Sequence, residues 1–183
     1  MPTVKTPIFR NGGAFLHLRA RQTVLFQHIF LIEMAKRTLT FKQAVEVTPD
    51  IENGYKIGLS ALGQYSNKIK AANTRLLNGS VDIDTCTTAK YPNENRWDYV
   101  LAYSQKVYFV EVHSANTSQV STVLRKLQWL KDWLNSCAPE INKLKAQQPY
   151  YWVMSNNNRI LSGSTQARQI SQAGLKPISY LNL

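Results

Sequence analysis

Two carboxylates and an imidazole, Asp98, Glu111 and His113, fall on consecutive runs of aromatic and β-branched residues, 97–103 and 107–113. Runs of this composition without internal glycine or proline make strands, and their proximity predicts an antiparallel hairpin. Side chains alternate along a strand, so Glu111 and His113 share one face with Val107 and Phe109, and two polar groups end an otherwise apolar face. If Ser104 and Gln105 form a two-residue loop, Tyr103 pairs with Lys106 and Asp98 falls opposite Glu111, about 5 Å apart at Cβ. A three-residue loop would break that register, and Ser-Gln is not a favoured hairpin pair. Carboxylates so close repel each other unless one keeps its proton or a cation lies between them. A divalent metal is the natural resolution: Mg²⁺ takes hard oxygen ligands and keeps waters, so Asp98, Glu111 and a substrate phosphate can complete its shell. Metal-assisted attack of water on a phosphodiester is the chemistry that follows.

A plainer reading stands beside this one. Asp98 can cap its strand or pair with Arg96, while Glu111 and His113 can mark where a buried strand emerges into solvent.

An Asp on one core strand, an acid-x-Lys triplet on the next and a helix after it form the pattern of the PD-(D/E)XK, or restriction-endonuclease-like, nuclease superfamily, which this chain resembles over residues 80–183. Asp98, Glu111 and His113 occupy the matching positions. The resemblance implies an α/β fold with a mixed sheet flanked by helices, Mg²⁺ or Mn²⁺ as cofactor with Asp98 and Glu111 as its ligands, and an endonuclease activity. The chain departs from the pattern twice: His113 stands where the family has Lys, and Trp97 where it has Pro. A neutral imidazole can take a proton or ligate a softer metal, but it carries no permanent charge. Lys126, on the following helix, is the residue that could supply that charge.

The positioning elements can be read in order. Residues 14–36 suggest one or two helices rich in apolar residues. Residues 38–47 fit either a short helix capped by Thr40 or a strand. Residues 51–72 read as a helix, with Tyr55, Leu59, Leu62, Tyr65 and Ile69 at three- and four-residue steps. Period-two alternation over residues 75–88 suggests a strand or hairpin with Asp82 and Asp84 on one face. After His113, residues 114–117 connect to a helix capped by Thr117 or Ser118, with Val120, Val123, Leu124, Leu127, Leu130 and Leu134 as its apolar stripe. On this helix Lys126 either reaches the site or snorkels to water. Trp129 and Trp133 could stack on bases, although widening the core stripe is the favoured reading. Pro139 ends the helix or starts another. Residues 150–154 read as a buried strand, 164–173 as a helix closed by Gly174, and 178–181 as a final strand. The expectation is a single α/β domain over residues 1–183, mainly helical over 1–74 and with its sheet-containing core over 75–183.

The 183 residues carry 22 Lys and Arg against 11 Asp and Glu, a formal net charge of +11. The excess is spread along the chain, and a distributed basic surface favours a polyanion, most simply nucleic acid, with DNA expected ahead of RNA. Hydrophobic content of 44% and charged content of 18% are those of a globular protein. Cys86 and Cys137 lack metal-ligand spacing and read as reduced packing residues. The most hydrophobic run, residues 24–32, contains Gln27 and His28 and is too short for a bilayer, and the N-terminal residues lack a signal-peptide pattern, so a cytoplasmic protein without membrane contact is expected. No GxxxxGK[ST], GxGxxG, HExxH or GxSxG motif is present. Arg21 and His28 have the R-x(6)-H spacing of HEPN ribonucleases, a weak rival. Three functions remain: a metal-dependent nuclease using Asp98, Glu111, His113 and Lys126; a nuclease-fold module that binds nucleic acid without cutting it; and a component active only with a protein partner or a second copy of the chain.

Overall fold

The computed structural model describes residues 38–183; the helices expected over residues 14–36, and with them Arg21 and His28, lie outside that range. The chain separates into two units, Met1–Thr38 and Leu39–Leu183, and the sheet with its helices belongs to the second. Helix α1 (Phe41–Glu46) resolves the ambiguity of residues 38–47, because Thr40 and Gln43 form a reciprocal capping box.

The long helix expected over residues 51–72 does not form. Only a 3₁₀ segment, Ser60–Lys68, and a two-residue strand, β1 (Ile69–Lys70), occupy that stretch. Three glycines interrupt it, two of them, Gly58 and Gly63, at positive φ. The preceding backbone is extended: Lys56 and Ser80 exchange two hydrogen bonds of 2.9 Å each, adding one bridge beside the sheet. Tyr55 packs against Gly79, where a Cβ would come within 2.4 Å of its ring. Apolar spacing suited to a helix was overridden by backbone breaks and a tertiary dock.

Strands β2 (Leu77–Asp82), β3 (Tyr99–Tyr103) and β4 (Lys106–His113) form an antiparallel meander. Helix α2 (Ile83–Thr87) links the first two, so Asp82 and Asp84 do not share a strand face. Asp82 caps the helix and Asp84 lies within it. From β4 the chain passes through a 3₁₀ turn, Thr117–Gln119, into α3 (Val120–Ser136), then α4 (Pro139–Lys143), and returns as β5 (Lys145–Met154), parallel to β4. The 3₁₀ turn replaces the expected Thr117 or Ser118 cap. Helix α5 (Thr165–Gln172), capped by Ser164, leads to β6 (Pro177–Ile178) beside β5. The last strand, β7 (Leu181–Asn182), pairs with β1 instead. The single final strand expected there is therefore two short ones in different sheets. The result is a mixed five-stranded sheet, β2-β3-β4-β5-β6, flanked by helices, with a separate two-stranded sheet.

One sheet face, including Val100, Ala102, Val107, Phe109 and Trp152, packs with buried residues of α1, α3, α4 and α5. The other, with Leu101, Val110, Val112 and Val153, packs with Leu62, Ile69 and Leu181. The α3 stripe is continuous, each such side chain contributing about 1.5–3 kcal/mol when buried. That stripe fixes the helix's rotation over the sheet, and hence where Lys126 points. Among the described residues no helix is long and apolar enough to cross a membrane.

Candidate active site

The hairpin turn decides the site. Ser104 and Gln105 both have positive φ, 48° and 62°, the backbone of a two-residue type I′ turn. Neither residue favours that conformation, and hydrogen bonds from the Ser104 N–H to the Leu76 carbonyl (2.9 Å) and from the Gln105 N–H to Asn78 Oδ1 (2.8 Å) hold it. Tyr103 consequently pairs with Lys106 and the ladder runs to Tyr99 opposite Val110. One position further, Asp98 and Glu111 meet across the end of the hairpin.

Their carboxylates interlock with the backbone. The Asp98 N–H donates to Glu111 Oε2 (3.2 Å), and the Val112 N–H donates to Asp98 Oδ2 (2.9 Å). The remaining oxygens turn toward α3, where Lys126 Nζ lies 2.7 Å from Asp98 Oδ1 and 2.5 Å from Glu111 Oε1. The point where repulsion between two carboxylates called for a cation is thus held by an ammonium. Glu111 is fully buried, while Asp98 and Lys126 keep 19% and 15% of their side chains exposed, so the site opens to solvent on one side. Burial, reinforced by the nearby Asp98 charge, pushes the Glu111 pKa up to about 8 against the opposing pull of Lys126. Burial alone would lower the Lys126 pKa; the two carboxylates outweigh it and hold the ammonium above its ordinary value.

His113 stands at the margin. Its Nδ1 is 3.8 Å from Glu111 Oε1 and its Nε2 is 2.8 Å from Gln119 Oε1. Gln119 had no signal in the sequence: it lies in the 3₁₀ turn before α3 and meets His113 only because that turn folds back over the end of β4. Arg96 pairs with Asp84 at 2.8 Å, and Asp98 with Lys126. Trp133 is buried in the core as expected, whereas Trp129 is only partly buried. Asp50, unremarked in the sequence, has its side chain 6% exposed and accepts hydrogen bonds from Lys90, Tyr91 and Trp133. Cys86 and Cys137 are free thiols.

The donor set fits a hard divalent cation in part. One oxygen of each carboxylate is tied to the backbone and the other two converge on Lys126 Nζ, so a divalent cation there would have to displace that ammonium. Among the described residues no three His, Cys, Asp or Glu side chains gather as a metal-binding group, so water and a substrate phosphate would have to complete the shell. No family model, no curated protein and no solved structure matches this chain.

Proposed function

We propose that this protein is a divalent-metal-dependent phosphodiesterase of the restriction-endonuclease-like type, acting on nucleic acid and on DNA ahead of RNA. The observation that carries the reading is the convergence of Asp98, Glu111 and Lys126 within hydrogen-bond distance at the open end of one hairpin. Element order supports it: a β3–β4 hairpin bearing the two acids, a crossover helix bearing the lysine, and a strand parallel to β4. So does the net charge of +11.

A Mg²⁺ or Mn²⁺ ion held by Asp98 and Glu111 would polarise the phosphoryl group and acidify an attacking water. Lys126 takes the part of the lysine missing at position 113, with its positive charge set against the charge that develops on the phosphate. His113 offers Nδ1, the nitrogen that Gln119 leaves open, to accept a proton from water at the rim. Burial of Glu111 and its backbone hydrogen bond fix the direction of its carboxylate before substrate arrives.

A second reading, a nuclease-fold module that binds without cutting, is favoured by one feature: Lys126 already bridges both carboxylates. The two separate in one experiment. Wild type, Glu111→Ala and Lys126→Ala are incubated with end-labelled single- and double-stranded DNA and RNA in Mg²⁺, Mn²⁺ or EDTA. The nuclease reading expects metal-dependent cutting, lost in Glu111→Ala and slowed about 10²-fold or more in Lys126→Ala. Cutting retained by Glu111→Ala removes the assignment, and salt-sensitive binding by all three proteins without any cutting selects the second reading.

A further inference from the structure

The segments that build the acidic site also build a cleft of about 450 Å³ beside it. One wall is the flank of α3 next to Lys126, with Arg125, Gln128 and Trp129; the other is the loop leading into Asp98, with Tyr91 and Asn95. A turn of helix separates Lys126 from Trp129, so the two lie on neighbouring parts of one face. Trp129 lies parallel to Trp133, with ring centroids 5.9 Å apart and 7° between planes, and Tyr91 meets Trp129 edge-on at 5.7 Å and 77°.

These aromatic walls are braced from behind. Asp50 accepts hydrogen bonds from the Trp133 indole N–H and the Tyr91 hydroxyl, both at 2.9 Å, and from Lys90 at 2.8 Å. Arg96 donates to the Tyr91 carbonyl and pairs with Asp84, clamping the loop between. The rings are therefore fixed in place and already packed on one another, so a flat ligand would lie against this aromatic wall and not between its rings. The rim of the cleft sorts charge: Glu94 and Asp132 line it and disfavour a phosphate inside it, while the Glu94 carboxylate and the Asn95 amide suit the amino and carbonyl edges of a heterocycle, the Gln128 amide N–H already donating to Asp132 Oδ1 at 2.9 Å. Among the described residues Arg125 donates only to Thr122 Oγ1, at 3.2 Å, which leaves its charge for a phosphate at the edge of the cleft it lines.

We propose that this cleft receives one unstacked nucleobase of the strand whose phosphate lies at Lys126, so that the substrate is single-stranded nucleic acid and not continuous duplex; the placement beside a scissile phosphate rests on the nuclease reading above. A base within a duplex is stacked on both faces and enters such a cleft only after extrusion, which costs a few kcal/mol. A single strand offers it directly.

The test is fluorescence anisotropy with the full chain in EDTA against three labelled probes: a mixed-sequence single strand, a strand of equal length made only of abasic sugar-phosphates, and a blunt duplex. Wild type is expected to prefer the base-bearing strand over each of the others by about tenfold or more. Trp129→Ala should lose that preference and Trp129→Phe should retain most of it. Equal binding of the base-bearing and abasic strands by wild type overturns the proposal, whatever the variants do. Cleavage in Mg²⁺ scored alongside keeps the two readings apart: cutting without base preference sinks the cleft alone, and base preference without cutting sinks the nuclease reading alone.

Discussion

Glu111 sits where a carboxylate is hardest to ionise, with no exposed surface and Asp98 as its neighbour, and its pKa is pushed up to about 8. The consequence for stability has a definite sign. Between the ordinary glutamate value and about 8, the folded state keeps a proton that the unfolded chain releases, so stability falls as pH rises through that window, by on the order of 1 kcal/mol per pH unit at most. Melting temperatures of wild type and Glu111→Gln measured from pH 5 to 8.5 should therefore converge at low pH and separate as pH rises, with wild type falling further; parallel curves would show that Glu111 is ionised throughout. At this scale much was legible from side-chain alternation alone. Glu111 and His113 had to share a face, whereas Asp98 falls opposite Glu111 only with a two-residue turn, which Ser104-Gln105 does not announce. The lysine between them was open in the sequence, because helix rotation depends on how the whole α3 stripe packs. Gln119 and Asp50 were invisible for a related reason: their partners are brought to them by tertiary folding.

The β3–β4 turn is the element on which the site's register depends, and its residues are poor at the conformation they adopt. Replacing Ser104-Gln105 by Asn-Gly removes the strain of two positive-φ residues, and a gain of about 1 kcal/mol is expected, raising the melting temperature by about 2–4 °C without moving Asp98 relative to Glu111. The backbone N–H groups that donate to Leu76 and Asn78 are kept in the Asn-Gly variant, so a melting temperature that drops would mean that Ser104 and Gln105 adopt the turn without strain. Helix α3 was readable because its six-position stripe lets one face dominate, whereas residues 51–72 carried the same periodicity and failed to form a helix. The difference lies in Gly54, Gly58 and Gly63 and in the docking of Tyr55 on Gly79. Period marks which side chains are buried; it does not guarantee the backbone that buries them.

At the scale of the molecule, the net charge of +11 makes a quantitative demand. If three to five phosphates of a single strand are neutralised, the logarithm of the binding constant should fall against the logarithm of salt concentration with a slope of about −2 to −4. Titrations from 50 to 300 mM NaCl read this directly, and a slope near zero would remove the polyanionic partner. The mixed α/β architecture was legible from the alternation of strand and helix patterns, but the separation of β6 from β7 was not, since short runs do not reveal which sheet they join. That separation bears on biosynthesis. Strand β1 finds its parallel partner β7 about 110 residues downstream. At ordinary rates of elongation, Ile69 and its neighbour Leu62 emerge from the ribosome about 5 to 20 s before Leu181, the residue that covers them, has been made. Over that interval the nascent chain would carry an uncovered apolar strip, the kind of surface that invites aggregation until β7 arrives.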